Sequence, residues 1–434
     1  MKTGIVWFKT DLRIEDNETL IKAIAQSEEI IPVYCFDDFH FETTPYGFKK
    51  TGSFRAQFLL ESLQDLDATL RSLGSGLLIV KGKPEIEIPK IVKQYKAQKV
   101  FAKKEVAFEE KQTEKLVQAE LFKSRCELET CSTSTLYHAE DLPFSIKDIP
   151  DVFTNFRKKT EQDAKIRKPF EKPTEINSPE IPKMELPTLE ELGLVFSPID
   201  SRAAIQFKGG ETEALKRLNH YFYDTKCLSK YKETRNGMVG ADYSSKFSAW
   251  LAMGCISPRY VSDQVKKYEK EFGANDSTYW LVFELLWRDF FRFMFKKHLS
   301  KFFLYSGIKT DKVNSKSLNE KLLSQWMNGA TQSDFINANM LELQLTGFMS
   351  NRGRQNVASY FCNELNMDWR FGAAYFEEQL IDYDVCSNWG NWAYLAGVGN
   401  DPRGHRYFNI EKQASDYDKN KAFRKLWLTK INSF

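Results

Sequence analysis

Apolar residues in the first 140 positions come in short blocks. Ile5–Phe8, Ile30–Phe36 (IIPVYCF), Gly76–Val80 and Val100–Ala102 are each too short for a helix and rich in β-branched or aromatic side chains, which predicts buried strands. Between them the spacing changes to a helical period. Asn17–Gln26 reads as a helix capped by Asn17 or Asp16. Ser53–Leu73 carries a stripe of Phe54, Phe58, Leu59, Leu63, Leu66 and Leu70. Repeated β-α-β units predict an α/β domain over residues 1–140 with a doubly wound parallel sheet.

Residues 141–200 hold eight of the fourteen prolines and many charges. Proline removes a backbone donor and breaks helices and central strands, so this stretch predicts an interdomain linker over 141–205 without long helices. Phe144, Phe153, Phe156 and Phe170 are its expected anchors. From residue 206 to 434 the strand pattern disappears. Glu211–Tyr223, Ser257–Phe272, Tyr279–His298, Asn351–Leu365 and Trp369–Ile381 all carry a helical period, so this part predicts an all-helical domain.

Charge divides the chain in the same way. Residues 1–200 carry 29 Lys/Arg against 34 Asp/Glu, and residues 201–434 carry 33 against 25. A basic half suits a polyanion such as nucleic acid, although a solvated surface accounts for charge equally well. No window approaches 18 uncharged apolar residues, so no membrane helix is expected. The short apolar run at the N-terminus reads as a strand and not as a signal peptide. The seven cysteines are then expected to be reduced thiols of a cytoplasmic protein. Cys126 and Cys131 lack a C-x-x-C companion, and no metal site is expected.

Dinucleotide-fingerprint, P-loop, metalloprotease, kinase and hydrolase signatures are absent, and the five histidines are scattered. The candidate chemistry lies elsewhere. Eight of nine tryptophans follow residue 249, and residues 382–400 mix Trp389, Trp392 and Tyr394 with Asp382, Asp384, Asn388, Asn391 and several glycines. A bulky helical core needs neither those acids nor those glycines. A concave site with aromatic walls and a few convergent polar groups uses both.

Longer motifs carry a resemblance. VWFKTDLRIEDNETL (6–20), GGETEALKRL (209–218), ELLWRDFFRF (284–293), GFMSNRGRQNVASYF (347–361) and DWRFGAAYFEEQLIDYDVCSNWGNWAYLAGVGNDPR (368–403) resemble the photolyases and cryptochromes. STLYHAEDLPF (134–144) and YKETRNGMVGADYSSKFSAWLAMGCISPR (231–259) resemble the DASH branch of that family. The similarity runs from about residue 3 to about residue 428.

The resemblance implies FAD in the helical domain. Tyr231 and Ser244-Ser245-Lys246-Phe247-Ser248 match the grip on its diphosphate, although a serine cluster alone reads more readily as a helix cap. Arg288, Asn351, Arg354, Asp382 and Asp384 match further cofactor contacts, with Arg354 and Asp382 as an ion pair against the flavin ring. Asn388 matches the residue facing flavin N5 and is the residue type of DNA-repairing members. Glu284 matches a carboxylate that bonds a pyrimidine dimer, and Trp287, Gln355 and Tyr394 match the wall against which flipped bases lie. The implied reaction is light-driven repair of cyclobutane pyrimidine dimers in DNA, with single-stranded DNA preferred, by a monomeric enzyme. Repair of (6-4) photoproducts uses paired histidines in this family, and no histidine lies between His298 and His405. The alternative is a blue-light photoreceptor that signals through a partner; the chain ends near Phe434, where a long signalling tail would follow, which favours the enzyme.

Three matches depart from the pattern or stand alone. Trp392 and Trp369 match the first two of three tryptophans that feed electrons to the flavin, while the third position falls on Lys316. The T-G-Y/F-P segment reads Thr331-Gln332-Ser333-Asp334, with Asn337 where an Asp is expected, which puts that loop in question. Glu105 matches the carboxylate that binds a methenyltetrahydrofolate antenna, although a lone Glu in a charged helix is more often solvated.

Overall fold

The computed structural model describes residues 2–429 apart from 184, 311–315 and 404–405. Five strands form one parallel sheet: β1 (Thr3–Phe8), β2 (Glu29–Phe36), β3 (Leu78–Lys81), β4 (Lys99–Lys103) and β5 (Glu127–Cys131), in the order β3-β2-β1-β4-β5. Both faces are covered, which is why the strands read as continuous apolar runs. Ile5 and Trp7 point into a core shared with the helices Pro84–Tyr95 and Phe108–Lys123. Val6 and Phe8 point the other way, into a core continuous with the helix Ser53–Ser72 and the C-terminal helices. Asn17 caps the helix Glu18–Gln26 by accepting from the Leu20 N–H.

β5 was not readable from apolar runs. Its sequence ELETC is polar and half-exposed, as an edge strand allows. The proline-rich stretch also departs from expectation, because it holds an eleven-residue helix, Phe153–Asp163. Pro150 and Pro169 bracket that helix, and no proline falls between them. Its buried Phe153 and Phe156 pack on the helix Asp276–His298.

Buried polar clamps join the two halves. Asp16 accepts from both Arg259 and Ser257. Glu211 accepts the Ile14 and Glu15 N–H groups at 2.9 Å each. Asp289 accepts those of Leu136 and Tyr137 at 2.9 and 2.8 Å. Burial pushes the Glu211 and Asp289 carboxyls up to about 7. Gly254 lies on the same seam at φ 69°, where a Cβ would stand 2.2 Å from the Thr10 carbonyl oxygen. Only glycine allows that backbone approach.

Candidate functional site: a polar cradle in the helical domain and a cavity at the sheet edge

Arg354 lies on the helix Asn351–Asn363, which Ser350 caps through the Gly353 N–H. Asp382 follows the helix Trp369–Gln379. The fold brings these two residues together across 28 positions. Arg354 Nη2 donates to both Asp382 oxygens at 2.9 and 2.7 Å, and its Nε donates to the Met349 carbonyl at 2.9 Å. Asp384 caps the next helix, Val385–Leu395, by accepting the Ser387 N–H at 2.8 Å. That helix carries Asn388, Trp392 and Tyr394. The buried Asn388 donates through Nδ2 to the Ala373 carbonyl at 2.9 Å, which fixes its amide plane.

Residues 244–248 form a tight turn. Arg217 holds it by donating to the Ser245 and Ser244 carbonyls at 3.0 and 3.1 Å. Ser248 starts a short helix. Lys246 takes φ 60°, is 3% exposed, and its Nζ has no hydrogen-bond partner. The ammonium sits against the Tyr243 ring, and the Tyr243 hydroxyl is also unpartnered. Burial pushes the Lys246 pKa far down and the nearby Glu342 carboxyl up to about 8. A buried cation without a partner costs several kcal/mol, so this cradle suits an anionic ligand. Hydroxyls, turn N–H groups and one ammonium are the donor set for a diphosphate. Tyr231 is buried, Asn351 is exposed at its helix start, and Arg288 is held by the Leu251 and Ser134 carbonyls.

Aromatic and charged groups gather where the helix Asp276–His298 meets the helices of Gln355 and Tyr394. Glu284 pairs with Arg235. Burial raises its carboxyl pKa, and the Arg235 charge opposes that shift. Trp287 has one face covered by Phe153 at 3.6 Å and meets Tyr394 edge-on at 6.3 Å. The Tyr394 hydroxyl accepts from Arg406, and Gln355 accepts from Arg352. Sequence reading missed Arg235, Arg352, Arg406 and Phe153. The signal for Arg235 stood inside the quoted YKETRNG motif. Phe153 carries no signal in the sequence beyond that of a linker anchor.

The second site is a cavity of about 200 Å³ at the carboxyl ends of β1, β2 and β4, walled by Trp7, Tyr34, Phe36, Lys50, Glu105 and Tyr383 among others. Open parallel sheets bind ligands at such strand ends, next to the point where strand order reverses. Glu105 lies in the loop after β4, not in a helix, and it is buried, not solvated. Burial alone would raise its carboxyl. Lys103 at 3.2 Å and Arg292 at 3.0 Å outweigh burial and bring it down to about 2. Glu110 lines the same cavity with an unpaired oxygen, and burial pushes it up to about 7. Asp384 reaches this wall too, 3.9 Å from Arg292. Burial opposes its ionisation, but the Arg288 and Arg292 charges and the Ser387 N–H win, so its pKa is lowered.

The loop at Thr331 is intact despite its unusual sequence. Asn337 accepts from the Thr331 N–H and hydroxyl at 2.8 and 2.7 Å and donates back to its carbonyl at 2.9 Å. An Asp has no amide hydrogens for that last bond. Among the described residues there is no cluster of metal-binding type, and no helix is long and apolar enough to cross a membrane.

Comparison with known proteins supports this architecture. Residues 4–175 match the DNA photolyase family model, and residues 280–434 match the FAD binding domain of DNA photolyase. Cryptochrome DASH of Gloeobacter violaceus is 49% identical, with 99% of this chain and 86% of that protein covered. The chain belongs to the DASH branch of the photolyase and cryptochrome family. Cryptochrome DASH of Danio rerio is 48% identical over 99% of this chain and 84% of that protein. Among solved structures, a Synechocystis cryptochrome superposes with TM-score 0.95 at 48% identity, covering 99% of this chain and 89% of that one. A class III photolyase from Agrobacterium tumefaciens gives 0.83 at 25%, covering 99% and 86%. The five-stranded α/β domain followed by a helical FAD-binding domain is thus the family architecture.

Proposed function

We propose that this DASH-branch chain repairs cyclobutane pyrimidine dimers in a light-driven reaction, acting preferentially on single-stranded DNA. The observation that carries this reading is the Arg235–Glu284 pair at an aromatic mouth whose helices also carry Asn388 and the Asp382-anchored cradle. The donor set fits FAD. Lys246, Ser244, Ser245 and Ser248 would hold the diphosphate, with Tyr231 and Phe247 packed beside it. Arg354, Asp382, Asn351, Arg288 and Asp384 would set the rest of the molecule. FAD, bound and reduced, supplies the light-excited electron that opens the dimer's cyclobutane ring. The chain supplies position and polarity. Asn388, one Nδ2–H engaged by Ala373, keeps its amide oxygen and its second Nδ2–H as the remaining acceptor and donor. Trp287 and Tyr394 offer rings to bases turned out of the stack, each worth roughly 1–3 kcal/mol, and Gln355 lines the same wall. Glu284, with its pKa raised, is suited to bond a pyrimidine at the mouth.

Single strands are favoured because bases already unstacked avoid a flipping cost of a few kcal/mol. We place a methenyltetrahydrofolate antenna in the second cavity, where the ionised Glu105 would accept from the pterin's amino group. The structure of a photolyase from Sulfolobus tokodaii, 26% identical with TM-score 0.78, holds two FAD molecules, so the spectrum of the bound chromophore separates a folate from a second flavin.

The test is illumination of the reduced holoprotein with oligonucleotides carrying one thymine dimer. Restoration in single strands faster than in duplex, and none in the dark, supports the proposal. Restoration in neither refutes it and leaves the photoreceptor reading. Equal rates in both refute the strand preference alone.

A further inference from the structure

One guanidinium lies between the sheet-edge cavity and the flavin cradle. Arg292, buried on the helix Asp276–His298, points one nitrogen at an acid of each. Its Nη2 donates to Glu105 Oε2 at 3.0 Å, and its Nη1 stands 3.9 Å from Asp384 Oδ2. The first contact is a full ion pair, and the second is too long for a hydrogen bond. Each carboxylate has its other oxygen engaged elsewhere. Glu105 Oε1 pairs with Lys103 at 3.2 Å, and Asp384 Oδ1 accepts the Ser387 N–H at 2.8 Å. The neighbouring cations are committed. Lys103 also donates to Thr10, and Arg288 donates to the Ser134 and Leu251 carbonyls. Arg292 is therefore the cation for which the two acids compete.

Whatever Asp384 feels is passed on. It caps the helix Val385–Leu395, where its charge also meets the positive end of the helix dipole. The body of that helix is fixed, since Trp392 sits on Gly372 so closely that a Cβ there would stand 2.3 Å from the indole. Its first turn, which leads to Asn388, is held by Asp384.

We propose that Arg292 is a positioning residue that couples the two sites, so that a ligand bound at Glu105 tightens the hold on FAD; this rests on the FAD and antenna readings above. A ligand N–H that bonds to Glu105 takes up part of its negative charge and loosens its grip on Arg292. The guanidinium then turns toward Asp384, closes the 3.9 Å gap and holds that carboxylate, ionised, against the cofactor. Linkage makes the effect reciprocal: bound FAD raises the affinity of the cavity for its chromophore by the same factor.

The test uses purified protein carrying FAD, with 5,10-methenyltetrahydrofolate either saturating or absent, as wild type, Arg292→Lys and Asp384→Asn. Flavin fluorescence follows release of FAD after dilution, and the readout is the ratio of the two release rates within each protein. A purely structural role changes both rates alike and leaves the ratio alone. In wild type, folate is expected to slow release about 5-fold, the lower end of typical couplings. In both variants the ratio is expected to fall to near one. A lysine keeps the charge, but its single ammonium reaches one acid and not two. Asparagine keeps the cap and removes the charge, so it decides the matter if Arg292→Lys does not fold. Absence of slowing in wild type with folate bound, or an undiminished ratio in either folded variant, overturns the coupling and leaves both site readings standing. Protein that holds flavin but takes up no folate overturns the antenna reading and the coupling. Protein that holds no flavin overturns the FAD reading and the coupling.

Discussion

Replacing Asp382 by Asn changes one atom in the cradle and isolates the charge that holds Arg354. The Asp382 side chain is 1% exposed and takes both bonds from Arg354 Nη2. Breaking a fully buried ion pair by removing one partner costs about 3–5 kcal/mol. The Arg354 side chain is 27% exposed, so water repays part of that cost in the flavin-free protein. A ligand lying against the pair would remove that water. We therefore expect about 1 kcal/mol of destabilisation without flavin and about 2–3 kcal/mol more with it. At 1.4 kcal/mol per tenfold, the second figure is roughly a 30- to 140-fold loss of FAD affinity. The assay is titration of flavin-free wild type and Asp382→Asn with FAD, followed by flavin fluorescence, with thermal melts run with and without FAD. If affinity is unchanged, or the variant loses equal stability in both states, the pair is a structural staple and the cradle lies elsewhere.

Other expectations follow from the same geometry. Glu284→Ala should lower dimer repair while flavin content stays at the wild-type level; loss of flavin would mean that Glu284 belongs to the cofactor site. Glu105→Gln should empty the sheet-edge cavity of its chromophore, read as loss of the antenna absorption, while repair under saturating light continues; a retained antenna contradicts the assignment. Gly372→Ala should lower the melting temperature, because overpacking a closed core costs about 1–3 kcal/mol, and the Trp392 indole is enclosed by Phe361, Phe376 and Trp326; an unchanged melt refutes that packing. Flavin-free protein should lose stability as pH rises from about 5 to 8. Glu211, Asp289 and Glu342 hold their protons to about 7, 7 and 8 in the fold but release them near 4 when unfolded. Their contribution is full below the unfolded values and lost through the folded ones. Glu105, lowered to about 2, acts in the opposite sense and only in acid. Urea midpoints at the two ends of the range check the sign.

How much of this was legible in the sequence depended on whether the signal was local. Strands β1, β2 and β4 announced themselves because both their faces are covered, and β3, an edge strand, kept an apolar run although it is only partly buried. β5, an exposed edge, carried no such run. The helix Phe153–Asp163 lies in a proline-rich stretch, but in a gap between Pro150 and Pro169 that holds no proline. The aromatic–polar mixture at 382–400 was legible because it is local: Asp382, Asp384 and Asn388 all lie on or beside one helix start. Their partners were not legible without the family resemblance. Arg354 is 28 residues away from Asp382, and Arg292 meets Glu105 across 187 positions. Burial was invisible as well. Glu105 and Lys246 sit in charged, ordinary-looking segments, and only the fold removes water from them.

The central claim is that the cradle formed by Lys246, Arg354 and Asp382 holds FAD. The most direct measurement is the visible absorption spectrum of the purified protein beside that of Asp382→Asn. The account predicts a yellow wild type with stoichiometric flavin and a variant that loses it on dilution. A colourless wild type that takes up no added FAD, or a variant that retains flavin as firmly as wild type, would contradict it.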